Sequence, residues 1–282
     1  MLSSNTTFHL LQESRLRFDG GAMFGHVPKT VWQRIVEPDA NNRVLTACNS
    51  LLVRTPDRNI IVEVGMGTKW NEKEVALYEL QANTFDALLA PHGLTPAQID
   101  LVIVTHLHID HAGGLTTWDA QQNVQLTFPN ATVVVQQGEW EAANNPDLRS
   151  RPSYRPHDFL PVHEAGRFHL VQGSRTIAPG IDVIHTGGHT LWHQIVKFPT
   201  PQQVIYYLGD CIPSTAHLKP HWVMGYDLYP MDVIRARTRL FPLLMEENVT
   251  VVFGHDPATP VARIVPGGKP NTFDFVAAPF AS

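Results

Sequence analysis

Residues 105–111 read Thr105-His106-Leu107-His108-Ile109-Asp110-His111. Imidazoles and a carboxylate at this density suit the binding of divalent metal ions. A His-x-His-x-Asp-His string should arise by chance about 0.002 times in a chain of this composition. The apolar run before it, 101–105, has the character of a buried strand. Side chains leaving a strand end into a turn can aim successive imidazoles at one point, about 2 Å from an ion. His106 and His108 can share one ion, and Asp110 and His111, a turn later, can face a second. Gly113-Gly114 then let the backbone bend tightly beside the site. A solvated polar turn would gather so many ligands only by accident.

Three downstream stretches offer further ligands, each following a strand-like run. They are Gly187-Gly188-His189-Thr190, Leu208-Gly209-Asp210 and Phe253-Gly254-His255-Asp256. Each puts a small residue before a ligand-type residue, as a crowded site requires. A carboxylate among them can bridge two cations, one oxygen to each. The chain holds 15 histidines, as many as it has aspartates.

The elements that must position these residues alternate between strands and helices. Residues 44–53 and 59–64 form a hairpin around Thr55-Pro56-Asp57-Arg58. Residues 71–89 have helical periodicity, with Val75, Leu77, Tyr78, Leu80, Phe85, Leu88 and Leu89 on the apolar side. Thr95-Pro96 opens a short helix. Strands are expected at 101–105, 132–136, 181–185, 194–198, 204–208 and 249–253, and helices from near Gly138 and over 232–247. Residues 144–161, with four prolines, read as a long surface loop or lid. Hairpins together with strand–helix–strand units imply mixed sheets. No linker divides the chain, so a single domain over 1–282 is expected.

Composition narrows the function classes. With 43% hydrophobic and 17% charged residues, the 282-residue chain is neither disordered nor fibrous. A net charge of −5 without a basic stripe argues against a nucleic-acid partner. No apolar run nears the roughly 20 residues that span a bilayer, and residues 1–9 lack the pattern of a signal peptide. Two cysteines, Cys48 and Cys211, give no disulfide framework. A cytoplasmic protein without a membrane partner is the expectation.

Taken in order, Glu63-Val64-Gly65, the 106–111 motif, His189, Asp210 and His255 resemble the metallo-β-lactamase-fold hydrolases over nearly the whole chain. The resemblance implies a mixed α/β (α+β) protein, a four-layer αββα sandwich with mixed sheets and the site at one edge. It implies two divalent ions, zinc first, with iron, manganese and cobalt as alternatives. His106, His108 and His189 would hold one ion; Asp110, His111 and His255 would hold the other; Asp210 would bridge them. Asp19-Gly20-Gly21-Ala22-Met23-Phe24-Gly25, His185-Thr186-Gly187-Gly188-His189 with His193, Asp210-Cys211-Ile212-Pro213 with His217, and Trp222-Val223-Met224-Gly225-Tyr226-Asp227-Leu228-Tyr229-Pro230 look like the quorum-quenching lactonase branch. The implied substrate is a small lactone or ester, and a homodimer is an assembly to test. The implied reaction is ring opening by a hydroxide shared between the ions, with Asp110 or Asp210 moving the proton. Thioesters, phosphotriesters and β-lactams are rival substrates, and a mononuclear iron sulfur dioxygenase is a rival class.

Two departures stand out. The family's usual Asp-x-Gly is Glu63-Val64-Gly65 here, with a longer carboxylate to orient a ligand histidine. The tyrosine three residues after the bridging aspartate is Pro213 here, which leaves Tyr226 and Tyr229 as candidates for the phenol. His193 is expected to support the site rather than ligate. His185 and His217 are expected to pack or lie at the surface, Cys211 to be a buried inert thiol, and Met23, Phe24, Trp32 and Trp118 to be packing residues rather than an acyl-binding wall. Asp256 reads equally as a partner of a ligand imidazole and as a turn residue.

Overall fold

The structure, a computed structural model, describes residues 1–270 and 272–280. The chain packs as two compact units, one of Asn5–Arg15 and Cys48–Gly173, the other of Met1–Ser4, Leu16–Ala47 and Ser174–Ser282. They are called the 48–173 unit and the 174–282 unit below. Each is built on one large mixed sheet.

In the 48–173 unit the strands are β1 (Thr7–Asp19), β2 (Arg43–Arg54), β3 (Asn59–Val62), β4 (Gln81–Ala82), β5 (Leu101–Ile103), β6 (Thr116–Trp118), β7 (Val124–Leu126), β8 (Thr132–Gln136) and β9 (Phe168–Val171). The unit boundaries fall inside β1 and β2. The sheet order is β4-β1-β2-β3-β5-β8-β9, and β6 pairs with β7 separately. The expected hairpin joins β2 and β3 in antiparallel register, and β3, β5, β8 and β9 run parallel. Parallel strands are covered on both faces, which is why β5 is apolar throughout. Leu52, Ile61, Val102 and Val133 form the core with Phe85, Leu89, Phe159 and Val162 from the covering helices.

Two expectations are corrected here. Residues 71–89 form two short helices, Glu72–Tyr78 and Phe85–Leu89, not one. Asn71 starts the first with a capping box, and Glu79 ends it in the left-handed conformation. Residues 81–82 then pair with β1, and the Thr84 hydroxyl caps the second helix. The segment 144–161 is a loop only in part. Pro156 opens a helix, Pro156–Glu164, that buries Phe159 and Val162 in the core.

The 174–282 unit holds β10 (Arg175–Ala178), β11 (Ile181–His185), β12 (Gln194–Pro199), β13 (Val204–Tyr207), β14 (Val249–Val252), β15 (Val261–Pro266) and β16 (Phe273–Ala277), in chain order across the sheet. All its pairs are antiparallel except β13 with β14. A parallel pair needs a crossover, and the helix Pro230–Leu244 supplies it. Val233, Ala236, Leu240, Phe241 and Leu244 are its buried apolar residues, at helical spacing, and the last four pack with Tyr206, Val251, Phe253 and Ile264. This topology sends β11, β13 and β14 the same way, so their carboxyl ends share one edge of the sheet. Among the described residues, no helix is long and apolar enough to cross a membrane.

Candidate metal centre

In the 48–173 unit the histidine motif leaves β5 and enters a one-turn helix, Ile109–Ala112, followed by the tight turn Gly113–Leu115. Ligand atoms of His106 and His108, of His106 and His111, and of Asp110 and His111 lie within 4.8 Å of each other. The His106 ring centroid is 4.4 Å from that of His108 and 4.0 Å from that of His111. The three histidines are buried and Asp110 is half-buried. Glu63, just after β3, sets the geometry. One of its carboxylate oxygens pairs with His111 Nδ1 and the other accepts the Thr105 N–H. Its φ of 62° lies in the left-handed region, a strained backbone for a non-glycine residue beside a functional cluster. Gly113 and Gly114 let the chain press against 64–66, where a Cβ on either would collide with the carbonyls of Met66 or Val64.

In the 174–282 unit, His189, Asp210 and His255 come from the turns after β11, β13 and β14, at the shared edge. All three are buried. His189 Nδ1 lies 2.9 Å from Asp227 Oδ1, and its Nε2 lies 3.2 Å from Asp210 Oδ2. His255 Nδ1 donates to the Ala47 carbonyl at 2.8 Å, and its Nε2 lies 3.0 Å from Asp210 Oδ1. A carbonyl only accepts, so His255 carries a proton on Nδ1 and turns Nε2 toward Asp210. The Asp227 carboxylate sets His189 the same way. Two imidazole Nε2 atoms thus face the two oxygens of one carboxylate, and in its neutral form each imidazole offers Nε2 to a cation. His111 in the one unit and His189 and His255 in the other each have an acceptor behind Nδ1, the orientation that suits an imidazole ligand of a divalent ion.

Asp227 went unrecognised in the sequence, although it lies in the 222–230 stretch. Its second oxygen accepts the Met224 N–H at 2.8 Å. The backbone around it pins the His189 turn, with Leu228 N donating to His189 O at 3.0 Å and Tyr229 N to Gly188 O at 2.8 Å. Fully buried Arg237 donates to Cys211 O at 2.6 Å and Trp222 O at 2.7 Å, tying the Asp210 turn to that same loop. No local pattern marks this arginine.

His193 supports Asp210. Its Nε2 accepts the Asp210 N–H at 3.1 Å while Nδ1 meets the Thr186 hydroxyl at 2.7 Å. Asp256 is a turn residue, accepting from the Thr215, Ala258 and Thr259 N–H groups and the Thr215 hydroxyl. His185 Nε2 donates to Leu191 O. His217 is buried against Phe24, bonded to Ser214 and Met23 O, and burial pulls its pKa down to about 4. Burial pushes the Cys211 thiol up to about 12, so it stays protonated. Trp32 stacks on Phe24 and both are buried, whereas Trp118 is exposed and stacks on His157. Tyr226, edge-on to Phe18, and Tyr229 are exposed.

Comparison with known proteins places this arrangement. A structure of a probable metal-dependent hydrolase from Staphylococcus aureus superposes with a TM-score of 0.89, 31% identity and full coverage of both chains. The dizinc quorum-quenching lactonase AidC has the same fold at 18% identity, with a TM-score of 0.81 over 100% of this chain and 97% of that one. An N-acyl homoserine lactonase, AttM, from Rhizobium johnstonii is 28% identical over 176 residues, 59% of this chain. The chain spans about 61% of the length of that relative and of its Agrobacterium fabrum counterpart. The general description of the metallo-beta-lactamase superfamily matches residues 43–255, the stretch that runs from β2 to the last ligand-type histidine. The chain belongs to the metallo-β-lactamase superfamily.

Proposed function

We propose that the chain is a metal-dependent hydrolase that opens a lactone ring, with an N-acyl-homoserine lactone or a close relative as substrate. The observation that carries this reading is Asp210, whose two oxygens each face the Nε2 of an imidazole oriented through its Nδ1. His106, His108 and His189 would hold one divalent ion, Asp110, His111 and His255 would hold a second, and Asp210 would be shared between them. Zinc is the first choice for both, with iron, manganese and cobalt as alternatives for this donor set. Relatives that are named homoserine lactonases support the substrate class. In this reading 1–282 acts as a single catalytic domain in the cytoplasm, and a homodimer is the assembly to look for.

Bound divalent ions supply Lewis acidity, which activates water at neutral pH and polarises a carbonyl. One carboxylate, Asp110 or Asp210, takes the proton released as water adds to the lactone carbonyl carbon. The same carboxylate returns it to the ring oxygen as the C–O bond breaks, leaving a hydroxy acid. Glu63 and Asp227 hold His111 and His189 by their Nδ1 atoms throughout.

Metal analysis of the purified protein, combined with turnover of lactones, thioesters, phosphotriesters and β-lactams, tests the reading. Two ions per chain and a clear preference for lactones are expected. One ion per chain would reject the dinuclear assignment, and better turnover of thioesters would reject the substrate class.

A further inference from the structure

Residues 150–161 fall in the segment 144–161 that reads as a surface loop in the sequence, yet the stretch 150–162 carries two buried polar side chains with buried charged partners. Tyr154 is 6% and Asp158 3% exposed. Both lead to the histidine motif through a buried charge on another segment.

At the upstream end of the motif the connecting charge is Glu139, which is fully buried. Its Oε1 accepts the Tyr154 hydroxyl at 2.9 Å and the Leu107 N–H at 3.1 Å. Leu107 lies between His106 and His108, so this bond fixes the peptide from which both imidazoles project. The Tyr154 ring also packs edge-on against His108, with centroids 5.0 Å apart. Burial, and then the Glu139 charge, push the phenol pKa well up, so it stays a donor. At the downstream end the charge is Lys69. Its ammonium reaches Asp158 at 3.0 Å, Gly113 O at 2.5 Å and Thr116 O at 2.6 Å. Gly113 is the residue at which the helix carrying Asp110 and His111 ends. The Thr116 hydroxyl also donates to His157 O at 2.8 Å. Between these two points the Arg155 guanidinium lies 3.6 Å above the Trp70 ring and pairs with Glu74.

We propose that the 150–162 stretch is a two-point brace for the metal-binding motif, with Tyr154 and Asp158 as positioning residues acting through Glu139 and Lys69. The inference rests on the reading of His106, His108, Asp110 and His111 as ligands. The Tyr154–Glu139 arm aims the His106/His108 pair, and the Asp158–Lys69 arm holds the turn behind Asp110 and His111. Plain packing would have no need of charges at these points, because a buried ion is costly unless partners satisfy it. Here Glu139 joins Tyr154 to the Leu107 N–H, and Lys69 joins Asp158 to the Gly113 carbonyl.

Zinc affinity by chelator competition, together with kcat and KM, tests the brace in Tyr154→Phe, Asp158→Asn and the double variant. Tyr154→Phe removes one hydroxyl and keeps the ring against His108, so it is the variant least prone to misfold. Each single variant is expected to bind one of the two zinc ions about tenfold more weakly, at the low end of the effect of partners behind ligands. kcat should fall with KM little changed, and the double variant should be weakened at both ions. Ile264→Val, a core change in the 174–282 unit, serves as the control for stability alone. If Tyr154→Phe and Asp158→Asn lower Tm as this control does and keep wild-type zinc affinity, the brace is refuted and the segment is ordinary packing. If the wild-type protein holds neither zinc nor iron, manganese or cobalt, the metal reading fails and the brace fails with it.

Discussion

The two proposed ligand sets are supported by different means. In the 48–173 unit four ligand-type residues lie within six positions, and buried side-chain charges hold their backbone. Glu63 takes the Thr105 N–H, Glu139 takes the Leu107 N–H and Lys69 takes the Gly113 carbonyl. In the 174–282 unit the ligands stand far apart in sequence and the sheet itself aligns them, since β11, β13 and β14 end at one edge. Their added support is the Ala47 carbonyl, His193 on the Asp210 N–H, the Asp227 carboxylate, and a single buried cation, Arg237, on the Cys211 carbonyl. A contiguous motif comes from an irregular turn, which needs external bonds to keep its shape. Ligands on regular strand ends inherit theirs.

The comparison breaks most visibly at Asp210, the one residue that both proposed ions would share. Asp210→Ala is expected to lower lactone turnover at least about a thousandfold and to reduce bound metal below two ions per chain, because a unit that acts together fails together. Full turnover by this variant would remove the bridging role. Glu63→Gln and Asp227→Asn sharpen the contrast at the next level. Each leaves the ligands in place and weakens the acceptor behind one imidazole, for an expected loss of about 10- to 100-fold in metal affinity or activity. Glu63 also anchors Thr105 next to His106, so its variant should disturb both ions, whereas Asp227→Asn should disturb only the ion on His189. Equal disturbance in the two variants, read from stepwise metal titrations, would erase the distinction.

Legibility in the sequence followed the same division. The 106–111 motif could be read because contiguous ligands are improbable, and β11, β12, β13 and β14 because they are short apolar runs. The strand β1 was not anticipated, because Glu13 and Ser14 are buried in it among polar neighbours and spoil its alternation. A buried charge looks like a surface charge in a string of letters, so Glu139, Lys69, Asp227 and Arg237 carried no signal. Residues 71–89 kept a helical period across two elements, since side-chain caps and edge pairing outweighed periodicity there. The proline-rich 144–161 segment looked like a lid because proline is ambiguous between loops and first helical turns.

An effect on stability rather than on activity separates the units by the sign of their response to acid. In the 48–173 unit Glu13, fully buried, accepts the Met66 and Gly67 N–H groups at 3.0 Å each, and burial raises its pKa from 4.5 to about 7. The folded form therefore binds its proton more tightly than the unfolded one. Its contribution to stability is complete below pH 4.5 and is lost as the pH rises to 7, a change of about 3 kcal/mol at 1.36 kcal/mol per unit. In the 174–282 unit burial lowers the pKa of His217 from 6.5 to about 4. The unfolded form now holds the proton more tightly, so this contribution is complete above pH 6.5 and is lost as the pH falls to 4, again by about 3 kcal/mol. Over pH 7 to 4.5 the two terms oppose each other in the wild-type chain. Glu13→Gln should make urea stability more sensitive to acid than wild type over that range, and His217→Gln should make it less sensitive. Parallel pH profiles for the two variants would show that these buried groups do not set the difference between the units.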